Sequence, residues 1–526
     1  MLLILLAAWG APLPAAAQES ARGARRWSEA AAGSELERYL RLAQLAGLAP
    51  LSPWSTRAFA PHELDARIPR HDAGHPWRAE FRTIPDRDWW IVRPNAQLIV
   101  NTGLPWGSND GPMWAAKGMT VRQSGGVAVR RGAFAAQVAP DFWWTQNADY
   151  ALLPAVDAAH PHTDFASSGI DLPQRHGNGA VGRLDPGESW VRMDLFGVAA
   201  GISTASEWWG PTQAAGPILS PNGGGLPRAF VGSSAPTDIW IGRAHGRVFV
   251  GRAMRSAVST DTLSNRGRRL AMGVVGSFSP RGVPQLELGF SRFYHRAWRS
   301  GGPSINDISV LWEPLFKKNL PGKDDALVTA PDNQLASLSA RLTLPNAGLE
   351  LYTEYAREDH AFDKLDLINE PDHDSAIIFG WQKLLRRDDA RWWAVRAEVV
   401  NARVTHLVRI RPQVLFYSHH QLRDGHTQRG QLLGAPMVRG GSGAELSVSR
   451  YDARGRLSFQ WQRQGLARSA EGGLGYGALH ALEVSGLRYA PRGDLSWRAG
   501  VVQRVGDIAA RDLTSLHAAV GWHWAR

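Results

Sequence analysis

At 526 residues, with 23 tryptophans, 55 glycines and no cysteine, the chain is long for one soluble core and has no thiol for a disulfide, a zinc–thiolate site or a cysteine nucleophile. Its mean hydropathy of −0.26 is too polar for a helical membrane protein, but a membrane β-barrel tolerates it because only alternate residues face lipid. The formal net charge of +11 favours polyanionic partners, yet the arginines are spread along strand-like segments near acidic residues and form no patch or module of the kind nucleic-acid binding needs.

In chain order, residues 1–17 read as a signal peptide. Leu2-Leu3-Ile4-Leu5-Leu6-Ala7-Ala8-Trp9 is a short apolar core, too short to span a membrane, and Ala15-Ala16-Ala17 is a small-residue cleavage site, with maturation expected near Gln18. A basic n-region is missing. Residues 18–75 hold the one helical region. Ser34-Glu35-Leu36-Glu37 is a capping box, Leu36, Leu40, Ala43 and Gly47 recur at helical spacing, and Gly47 and Pro50 stop the element. A second short helix is predicted near Pro61-His62-Glu63-Leu64. So small a pair cannot bury its own apolar face, so it is expected to pack at the periplasmic mouth of a larger body.

From residue 76 to 526 the apolar period is two. Val191, Met193 and Leu195 alternate with Arg192, Asp194 and Phe196, and feed the pair Trp208-Trp209, read as a barrel-wall feature near a membrane interface. Clear hairpins follow: residues 270–278 with 285–291 across Ser279-Pro280-Arg281-Gly282, 335–344 with 349–355 across Pro345-Asn346-Ala347-Gly348, 446–450 with 457–462, and 482–489 with 495–501. These short turns alternate with long loops such as 151–187 and 358–375, the asymmetry of an outer-membrane barrel with short periplasmic turns. In the last segment Leu516, Ala518, Val520, Trp522 and Trp524 share one parity, as a lipid-facing closing strand requires. The expected fold class is therefore all-β: a large antiparallel outer-membrane barrel with a small N-terminal helical segment.

Several ordered segments resemble the capsule-assembly Wzi family of outer-membrane proteins. Asn109-Asp110-Gly111-Pro112-Met113-Trp114-Ala115-Ala116-Lys117-Gly118 is similar to that family's Asn-Asp-Gly-Pro-x-Trp-x-Gly-x-Gly segment, with Ala116 in place of a glycine. Trp209-Gly210-Pro211 with Ile218-Leu219-Ser220-Pro221-Asn222, then residues 351–359, 396–401 and 429–434, resemble later segments in the same order. The resemblance implies a barrel of about 18 strands in the outer membrane of a Gram-negative bacterium, with helices at its periplasmic mouth. It also implies binding of capsular or other exopolysaccharide to help attach or organise it at the cell surface. It implies no enzyme activity and no cofactor.

Candidate chemistry can be weighed residue by residue. Glu350 and Glu354 share the lumen-facing parity; taken as a glycosidase pair spaced ~7 Å along the backbone, they would serve as acid and base. Pairing with lumen arginines such as Arg341 or Arg396 is the stronger reading. Asp363, Asp366 and Asp372-His373-Asp374 form an acidic loop region, and His419, His420 and His426 a histidine group; neither has the spacing of a defined metal site, so no metal is expected. Trp143-Trp144, Trp208-Trp209 and Trp392-Trp393 are candidate sugar contacts, with Arg429, because sugar C–H faces stack on indoles while guanidinium groups hold hydroxyls and carboxylates. Adjacent tryptophans on a strand point to opposite faces, so each pair is expected to put one ring in lipid and one inward. The first reading is a lectin for an acidic capsular or exopolysaccharide, with outer-membrane lipid as its other partner. The alternatives are a porin-like channel or polysaccharide exporter, and a lumenal hydrolase using Glu350 and Glu354. Oligomeric state, a monomer included, is left open.

Overall fold

The computed structural model describes residues 30–65, 67, 75–77, 88–260, 267–298, 302–303, 307, 332–358, 368–388, 390–404, 414–467, 477–506 and 512–524. The expected signal peptide and the aspartates Asp363 and Asp366 lie outside them. The period-two segments close into one antiparallel barrel of 18 strands. The first, Trp89–Asn101, pairs with the last, Leu513–Trp524, with Leu98 opposite Val520. Closure removes the free sheet edges that would otherwise invite pairing with other chains. Along the last strand Leu516 and Val520 are 61% and 52% exposed, whereas Ser515, His517 and Ala519 are buried. Outward residues align across neighbours, as Leu446, Trp461 and Leu482 do, so the apolar parity becomes a continuous lipid-facing band.

The predicted hairpins form with longer arms: Arg268–Pro280 with Leu286–Ala297, Asp332–Leu344 with Leu349–Glu358, Ser442–Asp452 with Gly455–Gly465, and Gly477–Arg488 with Gly493–Gly506. Gly348 closes the second turn at φ 56°, a left-handed conformation that suits glycine. Three wall strands are interrupted: Phe134–Val138 continues as Asp141–Thr145, Val181–Asp185 as Trp190–Leu195, and Arg228–Ser233 as Thr237–Ile239. The loop predicted to reach residue 187 therefore ends at Val181; its last residues are wall, and the break after Asp185 hides the period. The break extends sideways into the first strand, where the register shifts between Val92 and Asn95 around Pro94. Proline has no N–H for the ladder and is tolerated at such a bulge.

The helical segment packs inside the barrel mouth at the end of the short turns. Helix Glu35–Leu45 is capped as predicted, Glu37 N–H donating to Ser34 Oγ at 3.2 Å, while the Glu37 carboxylate accepts from Gly33 N–H at 2.5 Å. Tyr39, Leu40, Leu42 and Leu45 bury against Trp54, Phe59, Trp77 and Trp392. A short helix, Pro61–Asp65, follows. Between them Thr56–Arg57 pairs with Trp208–Trp209 in a two-stranded sheet separate from the wall. This corrects the sequence reading of Trp208-Trp209: the pair leaves the wall and lies in the plug, with 2% and 0% exposure, and neither ring reaches lipid.

Wall carboxylates hold the plug. Glu398 accepts the backbone N–H groups of Gln213 at 2.8 Å and Ala215 at 2.6 Å. Glu287 accepts from Trp54 N–H at 2.8 Å, Ser55 N–H at 2.7 Å and Ser55 Oγ at 2.6 Å. Glu350 accepts from Arg41 Nη2 and Arg341 Nε, both at 2.6 Å. The plug thus uses lumenal charges as partners for backbone groups that would otherwise be buried unpaired.

Candidate functional site: a cleft at the long-loop end

Where the long loops meet, a cleft of about 260 Å3 opens above the lumen. Its aromatic lining is Trp106, Trp114, Tyr150 and Phe165, and its planar polar groups include Gln431, Gln464, Arg439 and Arg504. Gln464 and Arg504 stand at the ends of wall strands, but the aromatic residues come from segments with no periodicity, so their placement rests on specific ties. Asn101, at the end of the first wall strand, donates from Nδ2 to the carbonyls of Trp106 at 3.1 Å and Ala115 at 3.0 Å; its Oδ1 meets His517 Nδ1 at 2.6 Å. Both tryptophans are thereby set from one buried amide. Gln174 fixes the opposite side, accepting from Leu153 N–H at 2.9 Å and donating to the carbonyls of Leu153 at 2.9 Å and Thr163 at 3.0 Å. The Tyr150 hydroxyl donates to the Gln174 carbonyl.

One of the cleft's two guanidinium groups, that of Arg439, sits on the short helix Pro436–Arg439, which starts with proline at its first position and ends before Gly440. Arg439 Nη2 donates to Asp164 Oδ2 at 2.6 Å, and the same oxygen accepts Ser167 N–H at 2.9 Å. Burial raises the Asp164 carboxyl above the ordinary range, and Arg439 draws it only part of the way back. Arg439 is 6% exposed, and its Nε and Nη1 have no hydrogen-bond partner among the described residues. Trp114 Nε1 is likewise without one, and its ring meets His176 edge-on with centroids 4.9 Å apart. Burial lowers His176 to about 4, so it stays a neutral neighbour at physiological pH. Aromatic faces beside unspent donors are what a hydroxyl-rich or carboxylate-bearing ring requires.

The residues predicted from sequence fall elsewhere. Trp143 points inward at 2% exposure and packs with Ile99, Met113 and Ala115 beneath Trp114; Trp144 takes the outward parity, as alternation predicts. Trp392 also points inward, 1% exposed, against His75 at the plug end, while Trp393 is outward and 37% exposed. Trp208 lies under Arg57, whose guanidinium carbon is 4.6 Å from its ring centroid, and Trp209 donates to Glu207 at 2.9 Å. Trp143, Trp209 and Trp392 thus have their rings sealed by protein, and Trp208, 2% exposed, borders a lumenal cavity away from the cleft. Arg429 borders the cleft through Gly430 but spends its guanidinium on Asp185 at 2.8 Å. Of the cleft residues, Trp114 and Gln431 stand in family-like segments, whereas Trp106, Tyr150, Phe165, Arg439 and Arg504 carry no sequence signal.

Glu350 and Glu354 do face inward, but both are 0% exposed. Four residues along one strand is about 13 Å, not 7, which exceeds the separation of a glycosidase pair. Glu350 is spent on two arginines, and Glu354 accepts from Ser337 at 2.7 Å. His426 is also occupied: its Nε2 donates to Ile218 O at 2.6 Å, which leaves Nδ1 to accept from His295 Nε2 at 2.9 Å.

Comparison with known proteins places this architecture. The family model described as capsule assembly protein Wzi matches residues 109–508. No curated protein sequence matches. Among solved structures, the Escherichia coli Wzi, described as an outer-membrane protein involved in group 1 capsule assembly and a carbohydrate-binding β-barrel, aligns with a TM-score of 0.61 at 13% identity, covering 95% of this chain and 100% of that one. Pseudomonas aeruginosa OccK2 (OpdF), solved with glucuronate, aligns with a TM-score of 0.39 at 11% identity over 83% of this chain and 98% of that one, a likeness too slight to bear on function.

Proposed function

The chain belongs to the Wzi family of capsule assembly proteins, outer-membrane β-barrels, and from that premise we propose that it is a lectin whose long-loop end holds an acidic capsular or exopolysaccharide at the cell surface. The observation that carries this reading is the cleft: Trp106, Trp114, Tyr150 and Phe165 offer rings for stacking, beside Arg439 nitrogens that no group among the described residues satisfies. Each stacked ring is worth about 0.5–1.5 kcal/mol beyond burial, so one sugar is held weakly. A polymer repeats its unit, and many weak contacts on many copies of a rigid barrel retain it.

Binding without catalysis is part of the same reading. Of the two lumenal carboxylates that a hydrolase would use, Glu350 is spent on Arg41 of the plug and Arg341 of the wall, Glu354 accepts from the wall residue Ser337, and both are buried. Glu350→Gln is expected to loosen the plug rather than to remove an activity; polymer cleavage by the wild-type protein that this change abolishes would overturn the non-enzymatic reading. The direct test of the lectin is retention of the producing strain's surface polysaccharide on the purified, detergent-folded protein. Retention is expected for wild type and reduced retention for Trp114→Ala; equal retention by both would remove the cleft from the mechanism.

A further inference from the structure

Among the described residues, the plug fills only part of the lumen. On the side of strands Leu286–Ala297 and Leu349–Glu358, inward residues such as Phe293, His295, Glu350 and Glu354 are all 0% exposed. On the side of Gly477–Arg488 and Gly493–Gly506, the inward residues Glu483, Ser485, Ser496 and Arg498 are only half-buried. They line a polar cavity of about 390 Å3 that also takes in Gln460 and Gln462 and reaches Gly33 and Arg38 on the plug. By the share of volume a water takes, roughly 30 Å3, this space holds several waters. Its guanidinium groups are compensated: Arg498 faces Asp110 at 3.3 Å, Arg456 faces Glu35 at 3.0 Å, and Arg396 pairs with Glu445. A compensated, hydrated lining passes ions and neutral hydrophilic solutes without trapping them.

One partition separates this cavity from the outer cleft. Trp106, Gly107, Ser108, Asp110 and Pro436 line both. The stem of the loop is firmly tied, with Gly111 N–H donating to Pro221 O at 2.8 Å and Gln431 Nε2 donating to Met113 O at 3.0 Å. The tip is held at Trp106 by Asn101 Nδ2 on its carbonyl at 3.1 Å, and beyond Trp106 by polar contacts of its last two residues: Asn109 N–H to Asn222 Oδ1 at 3.3 Å, Arg122 Nη1 to Asp110 O at 3.2 Å, and the Arg498–Asp110 pair at 3.3 Å.

We propose that residues 105–110 form a gate, and that displacing them joins the outer cleft to the lumenal cavity as one hydrophilic path for ions and small solutes through the unplugged half of the barrel. This is a conduction function, separate from polymer binding, and either reading can fail while the other stands.

The test is planar-bilayer conductance of the full chain in potassium chloride, comparing wild type with a variant in which two glycines replace residues 105–109. The wild type is expected to stay nearly closed and the shortened loop to conduct roughly tenfold more or better, as removal of a constriction should. Because the chain has no cysteine, Gln462→Cys places a unique thiol in the cavity. A membrane-impermeant, anionic thiol reagent added outside should label it in the shortened-loop background and not behind the intact loop. A shortened variant that keeps the barrel's heat-modifiable mobility but neither conducts nor exposes that thiol overturns the proposal, and so does a wild type that conducts equally well. If the shortened chain does not fold, labelling behind an intact tip weakened by Asp110→Ala decides: faster labelling supports the gate, and an unchanged rate sinks it.

Discussion

Trp114 and Gly273 show the two ways single residues act here. Trp114 presents its ring to the cleft because Trp143 packs beneath it and Asn101 holds the adjoining carbonyls. Truncating it to alanine removes one stacking face, about 0.5–1.5 kcal/mol, and is expected to weaken polymer binding roughly 2- to 10-fold with the thermal stability of the barrel unchanged. Calorimetry with a defined fragment of the polysaccharide checks this; unchanged affinity would place the sugar elsewhere. Gly273 acts through space rather than contact. A Cβ there would overlap Trp209 Cη2 and approach Phe249 Cε1 to 2.7 Å, so the wall is thin where the plug's indole enters. Gly273→Val should therefore cost about 1–3 kcal/mol through overpacking. It would be read as a lower temperature for loss of heat-modifiable mobility, and an unshifted transition would mean that Trp209 has room to move.

At the scale of elements, the plug is an inserted body whose polar groups depend on wall carboxylates. Glu398→Ala leaves the N–H groups of Gln213, Ala214 and Ala215 without their acceptor, at about 1–3 kcal/mol for each one left unpaired. Amide exchange at residues 213–215 should accelerate strongly while the wall strands keep their protection; retained protection at those amides would show that another group substitutes. Acid should loosen the same body in two stages. Burial lowers His426 and His75 to about 3, so between pH 6.5 and 3 the unfolded chain takes up protons that the folded one refuses, and stability falls as pH drops. Burial raises the Glu207 carboxyl, but Arg228 and Arg247 outweigh it and hold it at about 2; its contribution is full above the unfolded value near 4.5 and is lost as pH falls toward 2. The histidine contribution should thus pull the urea midpoint down from pH 7 to pH 5, above the range in which Glu207 loses its own, and a His426 imidazole that titrates near 6.5 by NMR would contradict the histidine assignment. These elements also mark what was legible in the sequence. Wall strands announce themselves because one face meets lipid and the other water, and the capping box of residues 34–37 is a local rule. Trp208-Trp209 was misplaced because a short apolar run looks alike in a wall and in a plug. The cleft stayed hidden because Arg439 and Phe165 meet only through the folding of aperiodic loops.

For the whole molecule, the net charge of +11 acts at long range while the cleft acts at contact. Most lumenal arginines are neutralised by nearby carboxylates, so attraction of an acidic polymer depends on the exposed remainder and is screened within about 8 Å at physiological ionic strength. Salt should therefore weaken capture of the polymer more than it weakens the stacking contacts. The rigid closed barrel fixes the cleft relative to the membrane, so that under the proposed lectin function neighbouring copies would engage successive repeats of one polymer. The measurement that decides most directly is retention of the strain's own surface polysaccharide on the purified protein at low and high salt, for wild type and for the Trp106→Ala, Trp114→Ala double variant. The expected result is retention by wild type that weakens with salt and is largely lost in the double variant. No retention by wild type at either salt, or retention that the double variant matches, would contradict a lectin acting through this cleft.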